Sequence, residues 1–511
     1  MLLLFRCYSI SSIYTTINAI IGWINAIIDD NGIIIANLIL TTNHIYIGGV
    51  YIITGLIGGA IGFGLPIILR LELALPRFIV CSSLQYNPNV SFHGIFMISS
   101  MIMPILIGGF GNILLPLMLC SSDMIFPRLN ALSLWLVLNS SIIMFLAMFI
   151  DGGVNAGWTS YVPLSIINYS SIDLMFFSLH IVGLSSLLGS INSIATLLKS
   201  SNLSIVNSFL FLPLYCWSIF FTPVLLVISP PVLAGVITTI ISDRHSNCPS
   251  FDPLRGGDLL LSQHLPWFLR HPEVHILILP AFGLISEMLS KFSQCIISGR
   301  DSMLAALLIT AALGCIVWGH HMFMVGFDLD TRSYLTFATS IIAIPTGIKI
   351  LNWLSTIYSG VIYLFTSLYF IIGFLFSSTF GGFTGPIPAN SIIDTILHDP
   401  YFIIGHPHYA PPLGAIYTIS AAFYTYWMLF TSIAFLDYLG RIHSGSSFIS
   451  SNLISFTMHS LGIIGFPRRI YDYSLQFFKF QWFNSIGLVG ICLSLCVLLL
   501  SMSASILPLM G

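Results

Sequence analysis

The stretch Tyr363-Leu-Phe-Thr-Ser-Leu-Tyr-Phe-Ile-Ile-Gly-Phe-Leu-Phe-Ser-Ser-Thr-Phe-Gly-Gly-Phe383 runs for 21 residues without a charged side chain. A helix rises about 1.5 Å per residue, so ~20 apolar residues cross a hydrocarbon layer about 30 Å thick. Comparable runs recur on both sides of it. They lie near Ile45–Leu69, Phe92–Leu119, Ala131–Ile150, Ile172–Leu197, Ser208–Ile241 and Trp267–Leu289. The others are near Met303–Trp318, Tyr334–Trp353, Tyr401–Phe430, Phe448–Gly465 and Trp482–Ser503, which makes twelve spans.

Composition agrees. Of 511 residues, 56% are hydrophobic and 7% charged, against roughly 25% charged in a soluble chain. The net charge of −2 excludes a nucleic-acid footprint and a charged interaction tail. The expected fold is therefore all-α, a polytopic membrane bundle of twelve transmembrane helices set in lipid. Residues 1–40 form an apolar, Asn/Ile-rich extension containing Asp29 and Asp30, read either as an interfacial helix or as an extra span. Residues 41–511 hold the helical domain.

The informative side chains are those a bilayer should expel. There are fourteen histidines against sixteen Lys+Arg. Seven of them fall in or against spans: His93, His271 and His275, His320 and His321, His406 and His408. A lone buried histidine is usually just hydrogen-bonded. Several on separate helices of one bundle point to metal ligation, because imidazole is the commonest neutral metal ligand and intramembrane polar groups usually bind something.

Helical geometry sharpens the assignment. His271 and His275, at i and i+4, share a face, with Glu273 between them pointing elsewhere. His406 and His408 point about 200° apart, so each can hold a different group on opposite sides. Adjacent His320 and His321 can serve one ion only where the backbone is irregular, as at a helix end. Together, His271, His320 and His321 would make an open copper or zinc site.

The motifs Trp267-x3-His271-Pro-Glu273-Val, Val317-Trp-Gly-His320-His321-Met-Phe, Ile344-Pro-Thr346-Gly-Ile-Lys349 and His398-Asp399-x6-His406-x-His408 resemble subunit I of haem-copper oxidases, the mitochondrial cytochrome c oxidase type. The resemblance runs from about Thr42-Asn43-His44 to the last span. It implies that the bundle encloses two haems and a copper site. His93 and His408 would be axial ligands of haem a, and His406 the proximal ligand of haem a3. His271, His320 and His321 would hold the copper. His398 and Asp399 would help bind magnesium, with a carboxylate from subunit II. Glu72 matches a sodium or calcium position, and Arg70 would contact the haem a formyl. Arg468 and Arg469 would pair with haem propionates, and Trp158 belongs with the cofactor-binding residues.

The resemblance also implies two proton routes. Asp123, Asn112, Asn130, Ser185 and Ser186 would line one that ends at Glu273, a carboxylate read as having no basic partner on its own face. Lys349, Thr346 and Ser286 would line the other. A mid-span lysine costs about 3 kcal/mol on insertion scales, which argues for a function. Glu273, His275, Lys349 and Thr346 thus join His271 in the catalytic set.

The chain departs from the family at several positions. Where the family carries a tyrosine joined covalently to the copper-ligand histidine, this chain has His275. Pro66, Pro230, Pro266, Pro388, Pro407, Pro411 and Pro412 stand where Ser, Leu or Phe is usual, Ala410 stands for Val, and Arg270 stands for Gly. Apart from Arg270, each difference reduces to U-to-C changes in the codon. The chain therefore reads as the translation of a gene whose transcript undergoes C-to-U editing, as a divergent lineage that retains these residues, or as a sequence recorded with errors.

The expected activity is that of a cytochrome c oxidase catalytic subunit, reducing O2 to water and pumping protons. The alternative is a quinol-oxidising enzyme, with a membrane transporter a distant third. Expected partners are subunits II and III, cytochrome c and membrane lipid. The N-terminus carries no transit-peptide character, which favours synthesis within the organelle and a multi-pass place in the mitochondrial inner membrane, with a bacterial plasma membrane as the alternative.

Overall fold

The computed structural model describes residues 41–77, 82–166, 170–200, 211–431 and 433–506. The extension 1–40 lies outside the described residues. Among those described, eleven helices are long and apolar enough to cross a membrane. They are α1 (His44–Glu72), α2 (Leu84–Met118), α3 (Pro127–Ala147), α4 (Ser170–Lys199), α5 (Leu214–Ser246), α6 (Leu261–Ser293), α7 (Arg300–Val325), α8 (Leu329–Ser359), α9 (Thr366–Ala389), α10 (Tyr401–Thr431) and, last in the chain, α12 (Leu475–Ser505). Between the last two runs α11 (Asp437–Ile463). It is long enough to span but too polar to count by hydropathy, so the expected twelve become eleven plus this one.

The reason lies in what α11 packs against. Its buried side chains include His443, Ser444, Ser450, Ser451, Ser455 and His459, and it lies along α10 and α12. Small polar residues let two backbones approach closely inside a membrane and hydrogen-bond across the gap. Gly490 illustrates this: a Cβ there would meet Ser450 Oγ at 2.1 Å.

The same device joins α1 to α2. Gly48 and Gly55, seven residues apart on one face of α1, lie against Ile113 and Ile105. A Cβ at either would come within 2.5 and 2.4 Å of those side chains. Helix α2 answers with two π-helical stretches, Phe96–Ile102 and Pro104–Gly111. Proline lacks the N–H of a regular turn and crowds the preceding carbonyl, and a widened turn absorbs both defects. A third such stretch, Tyr409–Leu413 in α10, contains Pro411 and Pro412.

Helix α6 is the axis of the bundle. It packs against α2, α5, α7, α8, α9 and α10. In its most apolar window 78% of residues are buried inside the protein, against 22% in α8 and α12. The largest core cluster, with Leu284, Ile285, Met288, Trp353 and Phe374, forms around it. A helix enclosed on every side keeps its polar residues away from lipid, and α6 carries His271, Glu273 and His275.

Candidate metal centre

Among the described residues, His271, His320 and His321 offer ligand atoms that lie within 4.8 Å of one another. His271 comes from the buried face of α6. The other two come from the tight 3-10 stretch Trp318–Val325, where Met322 leaves helical geometry. That irregularity lets neighbouring histidines turn to one point, as their adjacency required. His271 Nδ1 lies 3.2 Å from His321 Nε2. His321 stacks on Trp267 with ring centroids 4.0 Å apart, and Trp267 in turn donates to Tyr161 Oη at 2.6 Å. His320 Nδ1 sits 3.4 Å from Thr339 Oγ1. Partners on the outer nitrogens of ligand histidines fix ring orientation.

These rings line a cavity of about 540 Å³, which His406 of α10 also lines, together with Thr310, Thr346, Arg468 and Arg469. His408 is not among its lining residues, which accords with the two α10 histidines facing different sides. His408 lies within electrostatic reach of His93 of α2 instead. His93 Nδ1 bonds the Gly62 carbonyl at 2.8 Å, and His408 Nδ1 bonds the Ile404 carbonyl at 2.7 Å. Both rings therefore keep Nε2 as the free lone pair, the state a metal needs. His406 Nδ1 is held by Thr384 Oγ1 at 3.0 Å.

One end of the cavity is cationic. Arg468 pairs with Asp399 at 2.8 Å, and Arg469 takes a positive φ of 64° that lays its guanidinium over Gly157. Burial, reinforced by the Arg468 charge, holds the Arg469 guanidinium below the ordinary arginine range. Burial pushes the Tyr161 hydroxyl up, so it stays neutral and available as an acceptor. Arg270 lies over the Trp158 ring, 4.9 Å from its centroid. It is buried, and its Nη1 has no hydrogen-bond partner among the described residues. His398 Nδ1 bonds Asp394 at 2.9 Å. The adjacent pair His398 and Asp399 thus have different partners. Arg70 donates to Gln481 Oε1 at 2.7 Å and Tyr401 Oη at 3.3 Å, and Glu72 is buried at the end of α1.

Two polar rows approach this core. On α8, Lys349 is fully buried. Its Nζ donates to Thr310 Oγ1 at 2.7 Å and lies 4.3 Å over the Phe282 ring. Ser286 accepts from Trp353 Nε1 at 3.0 Å, and Thr346 Oγ1 donates to the Ile342 carbonyl while lining the cavity. The second row lies between α1, α3 and α4. Ser185 Oγ donates to the Ser133 carbonyl, and Ser133 Oγ shares a 2.8 Å bond with Tyr51. Ser140 meets Ser178 at 2.9 Å. Asn130 and Asn192 are buried, each with an Nδ2 lacking a partner among the described residues. Asn112 Nδ2 bonds the Gly108 carbonyl, Ser186 bonds the Gly183 carbonyl, and Asp123 Oδ1 accepts from the Met124 N–H.

A sequence profile describing cytochrome C and quinol oxidase polypeptide I matches residues 46–493. This chain belongs to that family. It is 43% identical over 460 residues to cytochrome c oxidase subunit 1 of Pecten maximus, covering 89% of this chain and 96% of the relative. It is 39% identical to the protein of the same name from Candida albicans, covering 90% and 87%. A chain of a heme-copper terminal oxidase dimer solved by cryo-EM shares its fold, with a TM-score of 0.74 at 16% identity, covering 90% of this chain and 84% of that one. Membership of the oxidase family implies haem and copper cofactors and a multi-subunit complex. With its many apolar helices, the chain is a multi-pass membrane protein.

Against this background, one reading of Glu273 needs correction. Arg270 stands three residues before it on α6, within electrostatic reach, so the carboxylate does have a basic neighbour. Several residues escaped sequence reading. Asp394 sits four residues before His398, a spacing that was legible. Ser178 and Asn192 stand seven residues to either side of the expected Ser185 on α4, also a visible signal. Thr310, the hydrogen-bond partner of Lys349, had none.

Proposed function

We propose that this chain is the catalytic subunit of a cytochrome c oxidase, in which O2 is reduced to water with electrons from cytochrome c and protons are pumped. The observation that supports the reading best is that the His271, His320 and His321 cluster and His406, from a different helix, line one buried cavity. The donor set fits the cofactors. Three neutral imidazoles suit copper. The anchored rings of His93 and His408 suit the two axial positions of haem a, and His406 suits haem a3. Arg468, Arg469 and the unpartnered Nη1 of Arg270, with Trp158 beside them, suit carboxylate groups at the cofactor edge. When bound, the haem–copper pair supplies the electrons and the oxygen-binding position.

The protein's own residues supply protons and exclude bulk water. Lys349 is buried with its ammonium against Thr310 and the Phe282 ring, so it can hold a proton and pass it toward Thr310 on the cavity wall, with Thr346 and Ser286 alongside. The row of Asn112, Asn130, Ser185 and Ser186, with Asp123 at its mouth, leads protons toward Glu273. The Nδ2 groups of Asn130 and Asn192, which lack a partner among the described residues, are natural sites for ordered water along it.

His398 and Asp399 would hold magnesium together with a carboxylate from subunit II, and Glu72 a sodium or calcium ion. Subunits II and III would cover lipid-facing helices, and both named relatives are eukaryotic, which supports the mitochondrial inner membrane. Residues 41–511 would form one catalytic domain. The test is an optical spectrum with copper analysis of the purified complex. Two a-type haems and a copper on this chain are expected. A low-spin haem of another type would favour the quinol-oxidising enzyme, and a protein without haem would sink both.

A further inference from the structure

His271 presents its two nitrogens to two different histidines. Nδ1 lies 3.2 Å from His321 Nε2, and Nε2 lies 3.2 Å from His275 Nε2. A neutral imidazole has one N–H and one lone pair, so whatever holds one nitrogen decides the state of the other. For Nδ1 to turn a lone pair toward the cluster, the proton must sit on Nε2. That proton then needs an acceptor inside a buried site. His275 Nε2 is that acceptor.

We propose that His275 is a positioning residue for His271. It accepts the Nε2–H bond and so holds His271 in the tautomer and orientation that a metal bound by His271, His320 and His321 requires. The inference rests on the copper reading of the cluster given above.

The geometry sets the His275 ring from two sides. It stands at i+4 on the same face of α6, with ring centroids 5.0 Å apart and planes at 65°. Behind it lies Gly314 of α7, where a Cβ would come within 2.7 Å of His275 Cδ2. The ring is therefore pressed against bare backbone. Its Nε2 is directed at the outer nitrogen of His271, not at the nitrogen that faces His321. That is the place of a supporting partner rather than a fourth ligand. Outer partners of this kind typically contribute 10–100-fold to metal affinity.

The experiment uses the purified holoenzyme. Peptide mass spectrometry across Gln263–Pro280 first establishes residue 275, and tyrosine there would overturn the proposal. H275L and H275Q are then compared with wild type for copper retained against a chelator, with the haem spectrum as the check on folding. X-ray absorption counts the imidazoles on copper. With intact haem spectra, H275L should lose copper about 10–100-fold more readily. H275Q, whose amide oxygen can accept the same bond, should restore most of the difference. The imidazole count should stay unchanged in H275Q. Copper retention by H275L equal to wild type, or no rescue by H275Q, would overturn the proposal, as would one fewer imidazole in H275Q. Wild-type protein without copper would instead remove the metal reading itself, and this inference with it.

Discussion

His93 Nδ1 and the carbonyl oxygen of Gly62 lie 2.8 Å apart, joining α2 to α1 beside the proposed low-spin haem position. The bond turns Nε2 of His93 toward the space it shares with His408. The close approach that allows it comes from the glycine seam of α1, since side chains there would hold the two helices apart.

The two α10 histidines should therefore separate spectroscopically. H93A or H408A should abolish the low-spin haem band, and H406A should remove the high-spin haem while leaving the low-spin band. The reduced-minus-oxidised spectrum checks this. Loss of both bands in every variant would show that the histidines act only on folding.

The α1–α2 seam should be intolerant of even a methyl group at one point. A Cβ on Gly58 would come within 2.5 Å of the Ser100 carbonyl oxygen, which is backbone and cannot rotate away. Overpacking typically costs about 1–3 kcal/mol. G58A should lower the thermal midpoint of the complex measured by loss of the haem spectrum, whereas G49A, which meets nothing within 4 Å, should not.

Lys349 and Thr310 should act as a pair. A positioned proton-transfer group contributes typically 10²–10⁴-fold, so K349M should slow oxygen consumption by about that range with haem and copper contents unchanged. T310V should slow it less, because the ammonium remains. Turnover of K349M near wild type would show that protons reach the cavity by another route.

The Asn and Ser row predicts a different defect. D123N and N192L should reduce proton uptake, read as proton release from reconstituted vesicles, while leaving both haem spectra unaltered. Unchanged proton release in both variants would remove this row from the proton route.

The cationic end of the cavity offers a metal test independent of haem. His398 bonds Asp394 and Asp399 bonds Arg468 in this structure, and magnesium binding would draw on the same side chains. Manganese grown into the site should give an electron paramagnetic resonance signal that D399A and H398A both lose. A signal surviving in both would place the ion elsewhere.

Much of this was legible from the chain alone. Charge-free runs such as 363–383 demand a bilayer, because no water-exposed surface could be made from them. The i, i+4 and i, i+2 spacings of the histidines on α6 and α10 dictate which rings share a face, since helical rotation is a local property. The seven-residue spacing of Ser178, Ser185 and Asn192 is equally local. Hydropathy shows only the part of α11 near Phe448–Gly465 and not its start at Asp437, because it scores a helix against lipid. Its serines face α10 and α12 instead.

Tertiary structure decided which helices meet. Sequence spacing says nothing about the 50 residues separating His271 from His321 or the 39 separating Lys349 from Thr310, because such contacts depend on how whole helices pack around α6. It also decided partners within motifs. Asp399 turned to Arg468, His398 to Asp394, and Arg270 settled over Trp158 within reach of Glu273. Periodicity fixes the direction a side chain leaves its own helix. Only packing fixes what stands there to meet it.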